Sequence, residues 1–273
     1  MTVARGRALG IGVLAVLAGA AFLFVAGAPA GLIVRNLVAF AAGLALGTIG
    51  LAFQPPRVPP FVPRLALTVV MLVIVLLVGV SLDGVQRWIR FGPVTLQPAL
   101  ILLPTLFSTL GDDRGGWRRA ALLVPAGLIA LQPDAGTLFA LALTLWILRR
   151  FDPARPALIA ALGATALTAW CLLDYANPEP VRFVEATAAL ALETGPLAIA
   201  LHLTALLLML VPFVLHRSRE GWALLTFFAA LATAAVLGAF PMPVAGAAVS
   251  PLVGYGAALA LLFLPIRSVF RRP

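Results

Sequence analysis

Residues 120–148 read AALLVPAGLIALQPDAGTLFALALTLWIL, and the way they divide decides the architecture. The run contains one charge, Asp134, and is bracketed by Arg118-Arg119 on one side and Arg149-Arg150 on the other. One continuous helix would put these Arg pairs on opposite sides of a bilayer. Gln132-Pro133-Asp134-Ala135-Gly136, however, is turn chemistry. A hairpin folded there returns both pairs to the same side, as the excess of Arg and Lys on cytoplasmic segments prefers. Each arm of about 14 residues, at ~1.5 Å per residue, covers only ~21 Å of a ~30 Å hydrocarbon core. Trp117 and the snorkelling Arg pairs are expected to complete the span.

Composition makes the bilayer the right solvent for this reading. The chain has 273 residues, 62% of them hydrophobic and 11% charged, with a mean hydropathy of +1.09. A soluble domain cannot hide that much apolar surface, so a cytosolic enzyme, a disordered chain and a disulfide scaffold are all excluded. The single Cys171 has no partner for an intrachain disulfide. An all-α, polytopic membrane protein remains, a single transmembrane domain over residues 1–273.

Charged residues mark out the other spans. Apolar stretches lie at 8–34, 36–56, 65–82, 91–111, 156–173 and 186–215, and prolines divide a last run, 221–266, at 238–251. With the hairpin this predicts about ten transmembrane helices. The first stretch also has the look of a secretory signal and is read as an uncleaved first helix. With both termini inside, the inner segments hold 15 of the 19 Arg and the outer ones four: Arg35, Arg87, Arg90 and Arg182. The net charge of +9 is therefore mostly topology. Basic residues spread over six inner segments form no groove for nucleic acid, which is excluded as a partner.

In so apolar a chain the polar residues are informative, and they gather on the outer side. One cluster is Asp83 to Arg90, leading to Gln97-Pro98. A second is Gln132-Pro133-Asp134. A third runs from Asp174 to Glu185, with Glu193 in the following helix, and a fourth is the proline-rich loop ending Ser250 to Gly256. Trp88 with Arg87 and Arg90 also suits an interfacial belt, and Asp134 also suits a helix cap. Glu193, inside a span, is expected to face a cavity or a partner. Glu185 and Glu193 fall within about 80° on one helix and are expected to line one wall. His202, about 180° from Glu193, reads as an interhelical hydrogen-bond donor.

These clusters resemble the SEDS family (shape, elongation, division and sporulation proteins, among them RodA and FtsW). Asp83-Gly84-Val85-Gln86-Arg87-Trp88 through Gln97-Pro98 is similar to the family's Gly-x-x-Arg-Trp…Phe-Gln-Pro-Ser-Glu. Leu131-Gln132-Pro133-Asp134-Ala135-Gly136-Thr137 matches its Gln-Pro-Asp-Leu-Gly-Thr nearly residue for residue. Pro251-Leu252-Val253-Gly254-Tyr255-Gly256 resembles its Pro-Leu-Val-Ser-Tyr-Gly-Gly.

The resemblance implies a protein of the bacterial inner (cytoplasmic) membrane that polymerises the polyprenyl-pyrophosphate-linked disaccharide-peptide precursor of peptidoglycan. The implied partner is a class B penicillin-binding protein. A carboxylate would deprotonate the acceptor sugar hydroxyl, and cationic groups would stabilise the departing pyrophosphate, with a divalent cation as a candidate cofactor. Glu185 and Asp134 are the candidate catalytic residues. Arg87, Trp88, Arg90, Gln97, Gln132, Glu193 and Tyr255 are the candidate substrate-binding residues.

Two departures stand out. The family has a long outer loop before its eighth span, ending His-Thr-Asp-Phe…Glu-Glu-Leu-Gly, with that Asp as the catalytic residue; here the interval is only 174–185. Aligning on Ala191 to Gly195 puts Val184 under the Asp, and a one-residue slip puts Glu185 there. In addition, Gln97-Pro98 is followed by Ala99-Leu100, without the family's Ser-Glu. Two further readings therefore accompany the polymerase: a non-catalytic subunit regulating a transpeptidase, and a lipid or small-solute transporter.

Overall fold

The computed structural model describes residues 2–52, 59–82, 85–92, 94–111, 116–151, 153–173 and 179–264. Asp83, Gly84, Pro93, the polar residues 174–178, and Arg57, Arg114, Arg267, Arg271 and Arg272 lie outside them.

Helices α1 (Thr2–Val25), α2 (Ala30–Ala52) and α3 (Phe61–Val78) lead to a three-stranded ribbon of β1 (Val80–Leu82), β2 (Val85–Phe91) and β3 (Val94–Leu96). Then follow α4 (Pro98–Phe107), α5 (Trp117–Ala121), α6 (Leu123–Ala130), α7 (Ala135–Arg149) and α8 (Arg155–Leu173). The chain ends in α9 (Thr187–Thr194), α10 (Pro196–His216), α11 (Arg219–Leu237) and α12 (Val249–Phe263). Six helices are long and apolar enough to cross a membrane, and α4, α7 and α12 are shorter apolar helices. Counting α5–α6 and α9–α10 as one crossing each gives the ten segments expected, in a polytopic membrane protein. Large apolar side chains stand exposed on the outside, Leu77 at 74% and Leu207 at 66% among them. That is the surface a lipid-solvated bundle presents.

The turn between α6 and α7 falls at Leu131–Asp134, inside the proline-aspartate motif. Three boundaries differ from the sequence reading. Arg35 does not mark the end of the first span: the chain turns at Gly27, whose φ of +77° suits glycine, and Arg35 sits inside α2. The ribbon is β structure in an otherwise helical chain. Val85-Gln86-Arg87-Trp88-Ile89-Arg90-Phe91 is rich in β-branched and aromatic residues, and burial alternates over its first four residues. Gly92, at φ +57°, turns it back on β3. The eighth span is broken at Gly195, φ +114°, followed by Pro196 at the start of α10. Glu185 precedes α9, so it does not share a helix with Glu193.

Buried from Ser250 to Ala260, α12 is the centre of the bundle. It packs against α2 on one side and α4 on another. Lipid tails are as apolar as leucine, so close van der Waals packing between small residues has to hold such helices together. A Cβ on Gly43 would overlap the Val253 carbonyl, and one on Gly256 would come within 2.6 Å of the Phe40 carbonyl. On the other flank, a Cβ on Gly254 would overlap the Leu100 carbonyl. Gly43→Val is therefore expected to cost at least about 3 kcal/mol, read as a lower thermal midpoint in detergent. Gly10→Val, where a Cβ meets nothing within 4 Å, should leave the midpoint unchanged.

Candidate active site

Successive helices alternate in direction, so one end of the bundle collects the β1–β3 ribbon, the 131–134 turn, the 179–186 segment and the 238–248 loop. Backbone bonds stitch the last two together: Met242 N–H donates to Val184 O at 3.0 Å and Ala247 N–H to Phe183 O at 2.6 Å. Asn36 on α2 donates to Gly246 O at 2.8 Å.

At the centre of this end lies Arg87, whose side chain is 1% exposed. Its Nη1 donates to Asp134 Oδ1 at 3.1 Å, and its Nη2 donates to Ala239 O at 3.4 Å. Nη2 also lies 3.9 Å from Glu185 Oε1. The guanidinium sits over the Trp88 ring, 4.5 Å from its centroid, and 5.5 Å from that of Phe240. Arg87 thus gathers β2, the α6–α7 turn, the segment before α9 and the loop before α12. With one cation and two carboxylates in contact, its charge is already met. It organises carboxylates and is not exposed to an incoming phosphate.

Asp134 is equally buried and equally occupied. It caps α7, accepting from Thr137 N at 3.3 Å, and Oδ2 accepts from Gln97 Nε2. The cap and the ion pair are therefore one structure. Gln97 precedes Pro98 at the start of α4, and its backbone N–H donates to Ser250 Oγ at 2.7 Å. Its Nε2 also reaches Thr137 Oγ1 at 3.3 Å, while its Oε1 has no partner. Glu185 is the least buried of the three charged groups. Its Oε2 accepts from Val181 N at 3.0 Å, and the side chain is 9% exposed.

The remaining candidates lie elsewhere. Gln132 is buried and donates to Leu72 O at 3.0 Å, pinning the turn to α3. Arg90 is exposed on β2, opposite Thr95 of β3. Glu193 is exposed on the last turn of α9 and does not face the cluster. Tyr255 belongs to the core: its hydroxyl donates to Met209 O at 3.1 Å and its ring packs on Phe40, Phe213 and Phe228. His202 meets the Phe22 ring edge-on at 4.9 Å, and its Nδ1 has no hydrogen-bond partner, so it makes a ring contact where a donor was expected. Among the described residues, no three His, Cys, Asp or Glu side chains come together to hold a metal. Asp134 and Glu185 both meet Arg87, so this donor set does not fit a divalent cation. Thr137 and Ser250 went unread in the sequence, although both sit in the quoted motifs.

A ten-segment helical membrane protein whose one end is organised by buried charge is the class defined so far. A family model for the cell cycle proteins FtsW, RodA and SpoVE matches residues 2–184, roughly two thirds of the chain, and the chain belongs to that family, the SEDS proteins. It is 33% identical over 127 residues to a probable peptidoglycan glycosyltransferase FtsW of Idiomarina loihiensis, covering 42% of this chain and 31% of the relative. A second such FtsW, of Aeromonas salmonicida, is 37% identical over 95 residues, covering 30% of this chain and 24% of the relative. The chain thus spans about a third or less of the length of these curated relatives. The fold is similar to the crystal structure of the rod shape determining protein RodA of Thermus thermophilus, with a TM-score of 0.62, 20% identity and 97% of both chains covered. A structure of a peptidoglycan synthase complex that couples polymerization and crosslinking is similar at a TM-score of 0.64 and 20% identity, covering 97% of this chain and 98% of that one.

Removing one partner of a buried ion pair leaves an uncompensated charge. Arg87→Met is expected to destabilise the protein by about 3–5 kcal/mol, seen as a lower thermal midpoint. Adding Asp134→Leu to it should recover part of the loss. Arg90→Gln, at an exposed site, should leave the midpoint within about 0.5 kcal/mol.

Proposed function

We propose that the chain acts at the outer leaflet of the bacterial inner membrane as a peptidoglycan glycosyltransferase on the polyprenyl-pyrophosphate-linked disaccharide-peptide precursor. A class B penicillin-binding transpeptidase would be its partner. One observation carries this reading: Glu185 is held against Arg87, beside the family's Gln-Pro-Asp turn, as the least buried carboxylate of the cluster. The names of the FtsW relatives and of the synthase complex support the substrate and the partner.

In this reading Glu185 accepts the proton of the acceptor sugar hydroxyl. That oxygen attacks the anomeric carbon of the donor sugar, and the carbon–oxygen bond to pyrophosphate breaks. The electron pair leaves with the polyprenyl pyrophosphate. Arg87 positions Glu185 and Asp134, and Asp134 works through the α7 cap and Gln97, since both its oxygens already accept hydrogen bonds.

A second reading, the non-catalytic subunit, is favoured by one feature. Where the family has a Glu after Gln-Pro-Ser, this chain has Leu100, 1% exposed in the core. Labelled lipid-linked precursor given to the purified protein with and without a transpeptidase separates the two. Glycan chains should form, and Glu185→Gln should slow them by about 10²–10⁴-fold. A protein that co-purifies with the transpeptidase but yields no chains in either state is the regulatory subunit.

A further inference from the structure

At the end of the bundle opposite the Arg87 cluster, a groove of about 340 Å³ lies between α2, α3, α4 and α12. Gly50, Pro60, Arg64, Thr105 and Leu261 are among its walls, and Leu46 and Leu67 stand exposed at its rims. Apart from Arg64 and Thr105 the lining is apolar, and no acidic side chain belongs to it. Gly47 sets the floor: it lies on the α12 backbone, where a Cβ would come within 2.6 Å of the Ala257 carbonyl. Gly50, about one turn further along α2, leaves the mouth open. A Cβ there would meet only Arg64 Nη2 and Leu261 Cδ2, both at 4.0 Å.

Arg64 is the charged group of this groove. It is the fourth residue of α3, whose first turn has no acidic residue and whose start has no side-chain cap. A cation there lies against the positive end of the helix dipole and gains nothing from its own helix. The side chain is half-buried, and its Nη2 reaches back across the mouth to Gly50 of α2. Among the described residues the guanidinium makes no hydrogen bond, ion pair or ring contact. Only the Arg64 backbone carbonyl is engaged, accepting from Thr68 Oγ1 at 2.7 Å. The last turn of α2 offers carbonyls nearby, yet the guanidinium donates to none of them. An anion from outside the chain would complete this surrounding.

The shape of the groove selects the anion. From Arg64 it runs along α3 past Leu67, and a second apolar groove continues it past Met71. Arg64 to Met71 is about 10 Å of helix at ~1.5 Å per residue, within the ~15 Å that one leaflet contributes to a ~30 Å core. A cation at one end and an apolar length running into the core match a phospholipid, and basic pockets between helices on the cytoplasmic side bind anionic headgroups. The Arg excess of 15 in 19 reads this end as that side. We infer that the groove binds one anionic phospholipid of the cytoplasmic leaflet, its phosphate on Arg64 and one acyl chain admitted past Gly50. The site lies at the far end from Glu185 and does not depend on the glycosyltransferase reading. A polyprenyl chain descending from the other end is the competing occupant, and the test separates the two.

Full-length protein in detergent is offered phosphatidylglycerol and phosphatidylcholine with the same acyl chains, and bound lipid is counted by native mass spectrometry. The wild type should retain one phosphatidylglycerol about tenfold more tightly than phosphatidylcholine. Arg64→Gln should remove that preference, and Arg64→Lys should keep part of it. Gly50→Leu should lose the bound lipid although Arg64 is still present. Gly50 is exposed and a side chain added there meets no backbone, so this variant folds. A preference unchanged by Arg64→Gln overturns the inference. So does one unchanged by Gly50→Leu, which would mark surface charge without a groove. Displacement of phosphatidylglycerol by a polyprenol as readily as by more phosphatidylglycerol also overturns it, and gives the groove to a substrate tail.

Discussion

The buried contact between Arg87 and Asp134 is what the outer end of this protein depends on. Four segments distant in sequence, the ribbon, the α6–α7 turn, the residues before α9 and the loop before α12, meet because each brings a group to one guanidinium. Asp134 serves twice, as counter-ion to Arg87 and as cap of α7, so the local signal that starts a helix also places a charge. In a low-dielectric surrounding a buried charge is kept where opposite charge meets it, and Arg87 has two carboxylates. Glu185, the less buried of the two carboxylates on Arg87, takes its position from this arrangement.

The bilayer explains both the economy of the rest and where the exceptions lie. Helix association there relies on backbones approaching closely, which is why Gly43 of α2 and Gly254 and Gly256 of α12 itself sit at the contacts of a central helix with no charged residue in its described length. The exception at the outer end is Arg87, buried and held by two carboxylates.

Much of this was legible in the sequence. Pro133-Asp134 between two Arg pairs forced the hairpin, and ten segments followed from charge spacing together with the prolines that divide residues 221–266. The outer polar motifs identified the residues that meet, Arg87, Gln97, Asp134 and Glu185, because polar residues in an apolar chain have few places to go. Charge spacing misled where a charge lies inside a span: Arg35 was taken for a boundary, although Gly27 and Pro29 carried the turn. The same reliance hid the helix break at Gly195-Pro196 and so put Glu185 and Glu193 on one wall. Arg87 was expected on the outer side by charge and position, and the structure places its guanidinium on Asp134 and Glu185, a burial that charge and position do not reveal. Tyr255, in a motif otherwise at the outer end, is core, since its side chain points along α12 into a cluster of Phe rings.

The central claim is that the network around Arg87 presents Glu185 to the acceptor sugar of a lipid-linked precursor. An experimental structure of the protein in nanodiscs, with the non-hydrolysed precursor bound, tests it most directly. The account predicts a sugar hydroxyl within about 3 Å of a Glu185 carboxylate oxygen, with Arg87 still on Asp134. A headgroup bound away from Glu185, or an Arg87 released from Asp134 to hold the phosphates itself, would contradict it.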